Sequence, residues 1–170
     1  MSHSCYSACD YLAAAGITSK EGGTNFTRSL LVGDDGTGTL SSAERNTGVG
    51  IEALQAITSG DDNTALGYLA GTAITSGTNN TLIGKSSGDS ISTSGSNVGV
   101  GFYTLAALTT GANNNVAIGK SAMKDSTGAN CDDNVAIGIS ALEDVTGGYN
   151  IGIGSTAGDN ITSGAGNVII

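Results

Sequence analysis

One histidine and three cysteines make up most of the reactive inventory of this chain. His3, Cys5 and Cys9 stand together at the start, and Cys131 stands alone far downstream. A His and two Cys so close together would suit a metal ion. The same spacing also places Cys5, Cys9 and Leu12 on one stripe of a short helix, and that plainer reading is preferred. Because His3 is the sole histidine, a Ser-His-Asp or Cys-His site elsewhere is excluded. An odd count of three cysteines, one of them far from the other two, does not describe a disulfide framework.

Carboxylates offer the next candidate chemistry. Asp61 and Asp62, and again Asp132 and Asp133, are adjacent pairs of the kind a glycoside hydrolase would need to split between acid and base. All four lie in polar turn stretches and read as solvated loop residues. Gly84-Lys85-Ser86 and Gly119-Lys120-Ser121 suggest a phosphate loop, but the Gly required five positions earlier is Asn79 in one case and Asn114 in the other. Asp34-Asp35-Gly36-Thr37-Gly38 hints at a calcium loop, yet it lacks the alternating Asp/Asn pattern and the closing Glu. The sequence therefore predicts no catalytic residues, no metal site and no cofactor.

The bulk composition narrows the class. Of 170 residues 28 are Gly, none is Pro or Trp, and aromatics make up 4%. Such a chain has material for a thin core of small aliphatics and not for a thick one. Six basic residues against a net charge of −9 argue against nucleic-acid binding. No apolar run is long enough to span a bilayer, so no membrane insertion is expected. The opening Met-Ser-His-Ser-Cys-Tyr-Ser-Ala-Cys-Asp has no basic stretch followed by an apolar one, so no secretory signal is expected either.

The element that must position everything else is a repeat. It consists of Asn, a β-branched residue, usually a small residue, an aliphatic and Gly. It recurs at Asn46, Asn63, Asn80, Asn97, Asn115, Asn134 and Asn150, and begins again at Asn167. The spacing is therefore nearly constant, with the two longest steps falling from Asn97 to Asn115 and from Asn115 to Asn134, and the shortest from Asn134 to Asn150. With Asn as position 0, position +7 holds Ala53, Ala70, Ser87, Thr104, Ala122, Ala141 or Ala157. Position +11 holds Ile57, Ile74, Ile91, Leu108, Ser126, Val145 or Ile161.

A unit of this length is too short for a strand–helix–strand crossover and suits one coil of a solenoid. Each coil is predicted to hold two short strands and two turns, stacked on its neighbours at about 4.8 Å, giving a rod roughly 35–40 Å long. Like residues then stack on like. An Asn ladder is expected from Asn46 to Asn167. The unbroken aliphatic at +3 predicts one inward core column of Val49, Leu66, Ile83, Val100, Ile118, Ile137 and Ile153. So few aliphatics per coil make a thin core, and self-association as a homotrimer is the expected remedy.

Asn115-Val-Ala-Ile-Gly and Asn134-Val-Ala-Ile-Gly resemble the head repeats of trimeric autotransporter adhesins. The resemblance spans residues 46–170. It implies an all-β, left-handed β-roll (β-helix) of coils, three chains to a trimer, with the Val and Ile columns facing inward. Ala65-Leu-Gly-Tyr-Leu-Ala70 and Thr109-Thr-Gly111 also resemble repeats of phage and viral fibre proteins. The coils here are a little longer than those of the adhesin heads. With no signal peptide and no membrane anchor read in the sequence, a viral fibre is favoured.

Residues 1–45 stand outside the repeat and are expected to form an attachment or capping segment, and 46–170 the β-roll domain. Ser4 to Ala15 is predicted as a short helix, with Leu30-Leu31-Val32 and Thr37 to Leu40 as strands of a degenerate first coil. The expected function is a non-enzymatic structural subunit of a viral or phage fibre serving host-surface attachment, located in the virion. The alternatives are the head of a trimeric bacterial surface adhesin, extracellular or at the cell surface, and a fibre-borne glycan hydrolase. Expected partners are further copies of the chain, other fibre proteins through the N-terminal segment, and a host glycan or protein. Tyr68, Tyr103 and Tyr149, together with Asp132 and Asp133 on the longer coils, are the candidate contact residues.

Overall fold

The computed structural model describes residues 17–20, 28–33 and 41–170. The predicted helix, the Thr37–Leu40 strand, His3, Cys5, Cys9 and the Asp34–Gly38 turn lie outside the described residues. The described residues form ten strands in one sheet whose spatial order is the chain order. They are β1 (Ile17–Lys20), β2 (Ser29–Val32), β3 (Thr47–Val49), β4 (Thr64–Leu66), β5 (Thr81–Ile83), β6 (Val98–Val100), β7 (Val116–Ile118), β8 (Val135–Ile137), β9 (Ile151–Ile153) and β10 (Val168–Ile169). β1 pairs antiparallel with β2, and every later pair is parallel. The fold is an all-β parallel solenoid.

Register follows the repeat. Thr47 pairs with Thr64, Thr64 with Thr81, and Thr81 with Val98. The irregular steps between Asn97 and Asn150 keep it, as Val98 pairs with Val116, Val116 with Val135, and Val135 with Ile151. The register also extends back one coil. Leu30 pairs with Thr47, and Ser29 occupies the place of the ladder Asn, where its Oγ accepts from the Asn46 amide at 2.8 Å. β2 thus stands where a degenerate first coil was expected, in register with the repeat, and the antiparallel β1 covers the edge that β2 would otherwise expose.

Only one strand forms per coil, where two were expected. The stretch from +5 to +10 runs as consecutive turns because +6 and +8 take left-handed backbone. Examples are Glu52 and Leu54 (φ 59° and 56°), Tyr103 and Leu105 (φ 55° and 53°), and Ser140 and Leu142 (φ 53° and 48°). Backbone bonds between coils persist there, as from Leu54 N to Ala70 O (3.1 Å) and Ala56 N to Thr72 O (3.0 Å). Stacking therefore does not require a second ladder. At +4 glycine is needed for two reasons. Its φ is +127° to +141° from Gly50 to Gly154, and a Cβ on any from Gly50 to Gly138 would lie 2.2–2.7 Å from the carbonyl oxygen of the equivalent Gly in the next coil.

The core assignment at +3 needs correction. Alternation along each short strand buries +2 and turns +1 and +3 outward. Leu66 is 49% exposed, and Ile118, Ile137 and Ile153 are 37–39% exposed. Val49, Ile83 and Val100 are half-buried. The core of the coil is built from +2 (Ala65, Leu82, Ala117, Ala136), +7, +8 (Leu54, Leu105, Met123, Leu142) and +11. A coil this narrow leaves room behind most strands only for Gly or Ala, and the larger branched residues are forced to the outer face.

Ladder residues Asn46 to Asn150 are almost wholly buried. Each Oδ1 accepts from both the backbone N and the Nδ2 of the Asn one coil on, at 2.8–3.2 Å, through seven steps from Asn46 to Asn167. From Asn46 to Asn115, and at Asn150, the other Nδ2 proton goes to a turn carbonyl, for example from Asn46 to Gly60 (2.8 Å) and from Asn97 to Ala112 (3.0 Å). Every buried polar atom of the Asn97 side chain is thereby satisfied.

Candidate functional surfaces

Two surfaces gather the candidate contact residues. The first is the outer face of the sheet and its adjoining corner. Beside the outward +3 column, position +5 forms a second, outward column: Ile51, Tyr68, Lys85, Phe102, Lys120, Ile139. The turn at Gly +4 is what points these side chains out. Lys85 Nζ sits between two rings, 5.8 Å from the centre of Tyr68 and 5.5 Å from that of Phe102. Phe102 meets Tyr103 edge-on, with ring centres 4.3 Å apart. Tyr68 and Tyr103 therefore belong to this corner. Lys85, which the sequence offered for a phosphate loop, is an element of the aromatic column. Lys85, Phe102, Ile51 and Ile139 were not anticipated as contact residues. The signal that would have found them is the repeat period read at +5.

The second surface is a cleft of about 570 Å³ lined by residues of three successive turns, including Asn130, Asp132, Thr146, Tyr149 and Ser163. It lies where the longest step of the repeat, Asn115 to Asn134, gives way to the shortest, Asn134 to Asn150. The ladder asparagines stay in register on both sides, so this mismatch is taken up in the turns. Gly148 fits against the longer turn, with its absent Cβ only 2.8 Å from Asp132 O and 3.0 Å from Asn130 O. Tyr149 occupies the left-handed position just before the ladder Asn (φ 63°), donates its backbone N–H to Asp132 O at 2.9 Å, and is 68% exposed. Asp132 Oδ1 accepts from the Asn113 backbone N (2.6 Å) and Nδ2 (3.4 Å). Two predicted contact residues, Tyr149 and Asp132, thus converge. Asp133 precedes Asn134 in the same left-handed position and is half-buried outside that lining.

The other acidic turn is committed to structure. Arg45 grips Asp62 through Nε–Oδ1 (2.6 Å) and Nη2–Oδ2 (2.9 Å), and Asp61 Oδ1 accepts from the Glu44 backbone N at 2.7 Å. The bond from Arg45 holds the Asp62 carboxyl below the usual carboxylate range. Burial pushes the Cys131 thiol up, the opposite of what a nucleophile requires. Among the described residues no three His, Cys, Asp or Glu side chains are grouped to hold a metal ion. No family model, curated protein or solved structure matches this chain.

Proposed function

We propose that the chain is a non-catalytic structural subunit of a viral or phage fibre. In this reading it assembles as a homotrimer through its outer sheet face and holds host-contact surfaces along a rod. One observation carries it: the unbroken outward aliphatic column from Val49 to Ile153, flanked at +5 by Ile51, Tyr68, Phe102 and Ile139. A partly exposed apolar column of this length, with Lys85 and Lys120 interrupting only its +5 flank, suits an interaction surface. Copies of the same chain are its natural cover, because strips of equal period match level for level. A three-fold arrangement brings three +3 columns to one axis. The inward column implied by the adhesin-head resemblance is then inward to the assembly and outward to the coil. The N-terminal segment, residues 1–45, is read as the attachment or capping piece toward other fibre proteins. Light scattering of the purified chain tests the proposal. Three times the chain mass of 16.6 kDa is expected, and a stable monomer overturns it.

A further inference from the structure

We infer that the cleft beside Tyr149 is a subsite for a neutral saccharide. The inference deepens the attachment role proposed above and rests on that reading for its biological purpose. Its volume, about 570 Å³, falls within the usual range for small-ligand clefts of about 300–1,000 Å³. Tyr149 supplies a broad, exposed ring whose backbone is already fixed by its bond to Asp132 O, so little ordering is left to be done on binding. It is also the one aromatic at a position otherwise filled by Arg28, Arg45, Asp62, Asn79, Ser96, Asn114, Asp133 and Gly166.

The chemistry around the ring suits hydroxyl groups. Asp132 presents a carboxylate oriented by Asn113, Asn130 adds an amide and Ser163 a hydroxyl, while Thr146, whose hydroxyl donates to Thr162 O, is left as an acceptor. A sugar ring would lay its C–H face on Tyr149 and donate its hydroxyls to the carboxylate and amide oxygens. No cation lines the cleft, and the chain carries −9, so sialylated or uronic sugars are disfavoured. A protein partner needs about 800 Å² of its own surface covered, more than a cleft of eight lining residues provides by itself.

The test is an array of glucose-, galactose- and mannose-terminated oligosaccharides with their sialylated and uronic counterparts, probed with the full chain. Tyr149→Asn is the informative variant, because Asn79 and Asn114 already fill the same backbone position at φ 60° and leave the fold intact. Retention on neutral glycans, falling tenfold or more in Tyr149→Asn and several-fold in Asp132→Asn, is expected. No retention on neutral glycans, preference for the acidic ones, equal retention on a deglycosylated protein surface, or indifference to Tyr149→Asn would each overturn the inference. Molar mass by light scattering on the same samples separates it from the fibre reading. A trimer that ignores glycans defeats only the saccharide site, whereas a monomer that binds them defeats only the assembly.

Discussion

Leu82 fills the space that Gly88, later in the same coil, leaves open: a Cβ on Gly88 would lie 2.8 Å from Leu82 Cδ2. The trade recurs in reverse elsewhere. A Cβ on Gly48 at +2 would lie 3.4 Å from Leu54 Cδ1 at +8. Across coils, Gly71 also makes room for Leu82 and Leu54, with 3.0 and 3.2 Å to their methyls. Positions +2 and +8 thus share one volume, and the core is packed by exchange between them.

Gly88→Leu should therefore destabilise the chain by about 1–3 kcal/mol through overpacking. Leu82→Gly alone should cost at least about 2–5 kcal/mol through the cavity it leaves. The double variant should recover a large part of the loss. A Leu is compatible with the left-handed backbone at +8, as Leu54 and Leu105 show. Chemical denaturation of the three variants checks this, and additive losses would refute the shared volume.

Asn97→Ala should weaken the rod by several kcal/mol. It removes the acceptor of the Asn115 backbone N (3.0 Å) and the donor to Ala112 O (3.0 Å), and each buried group left unpaired costs about 1–3 kcal/mol. The same change at the half-buried Asn167 should cost less. Thermal melting of both variants provides the comparison.

Substitution on the two faces of one strand should separate folding from assembly. Ile118→Asp, on the outer face, should leave the circular dichroism of the coil intact while lowering the mass in solution. Ala117→Asp places an unpaired charge in the core and should prevent folding, at a cost of several kcal/mol. Equal effects of the two on folding would count against an outward role for Ile118.

Burial raises the Asp89 carboxyl above the ordinary carboxylate range. A raised pKa in the folded chain means that the folded state holds the proton more tightly. The contribution of Asp89 is therefore most favourable below the unfolded pKa and declines as pH rises between the unfolded and folded values. Asp89→Asn should accordingly stabilise the chain at neutral pH, with the gain vanishing in acid. Denaturation midpoints across pH 3–7 (about the carboxylate range and above it) check the sign.

Much of this architecture was legible in the residues themselves. The spacing of the Asn residues defined the coil, its parallel register and the ladder, because a chain with one Asn per period can satisfy those side chains, once buried, by stacking them. The +11 column, Ile57, Ile74 and Ile91, was also readable as apolar, and it is buried. Alternation within a short strand said that Val116 and Ile118 share a face but not which one. The tertiary structure decided that, because left-handed residues at +6 and +8 fold Ala122 and Met123 back behind the strand and leave room there only for Ala117. Leu30-Leu31-Val32 was readable as a strand of a degenerate first coil, but only the register showed that Ser29 takes the ladder place there, keeping a side-chain acceptor for Asn46. The cleft was hidden for a different reason. Tyr149 and Asp132 belong to turns of successive coils, and only the passage from the longest step to the shortest, absorbed in turns while the asparagines stay in line, brings them to the same hollow.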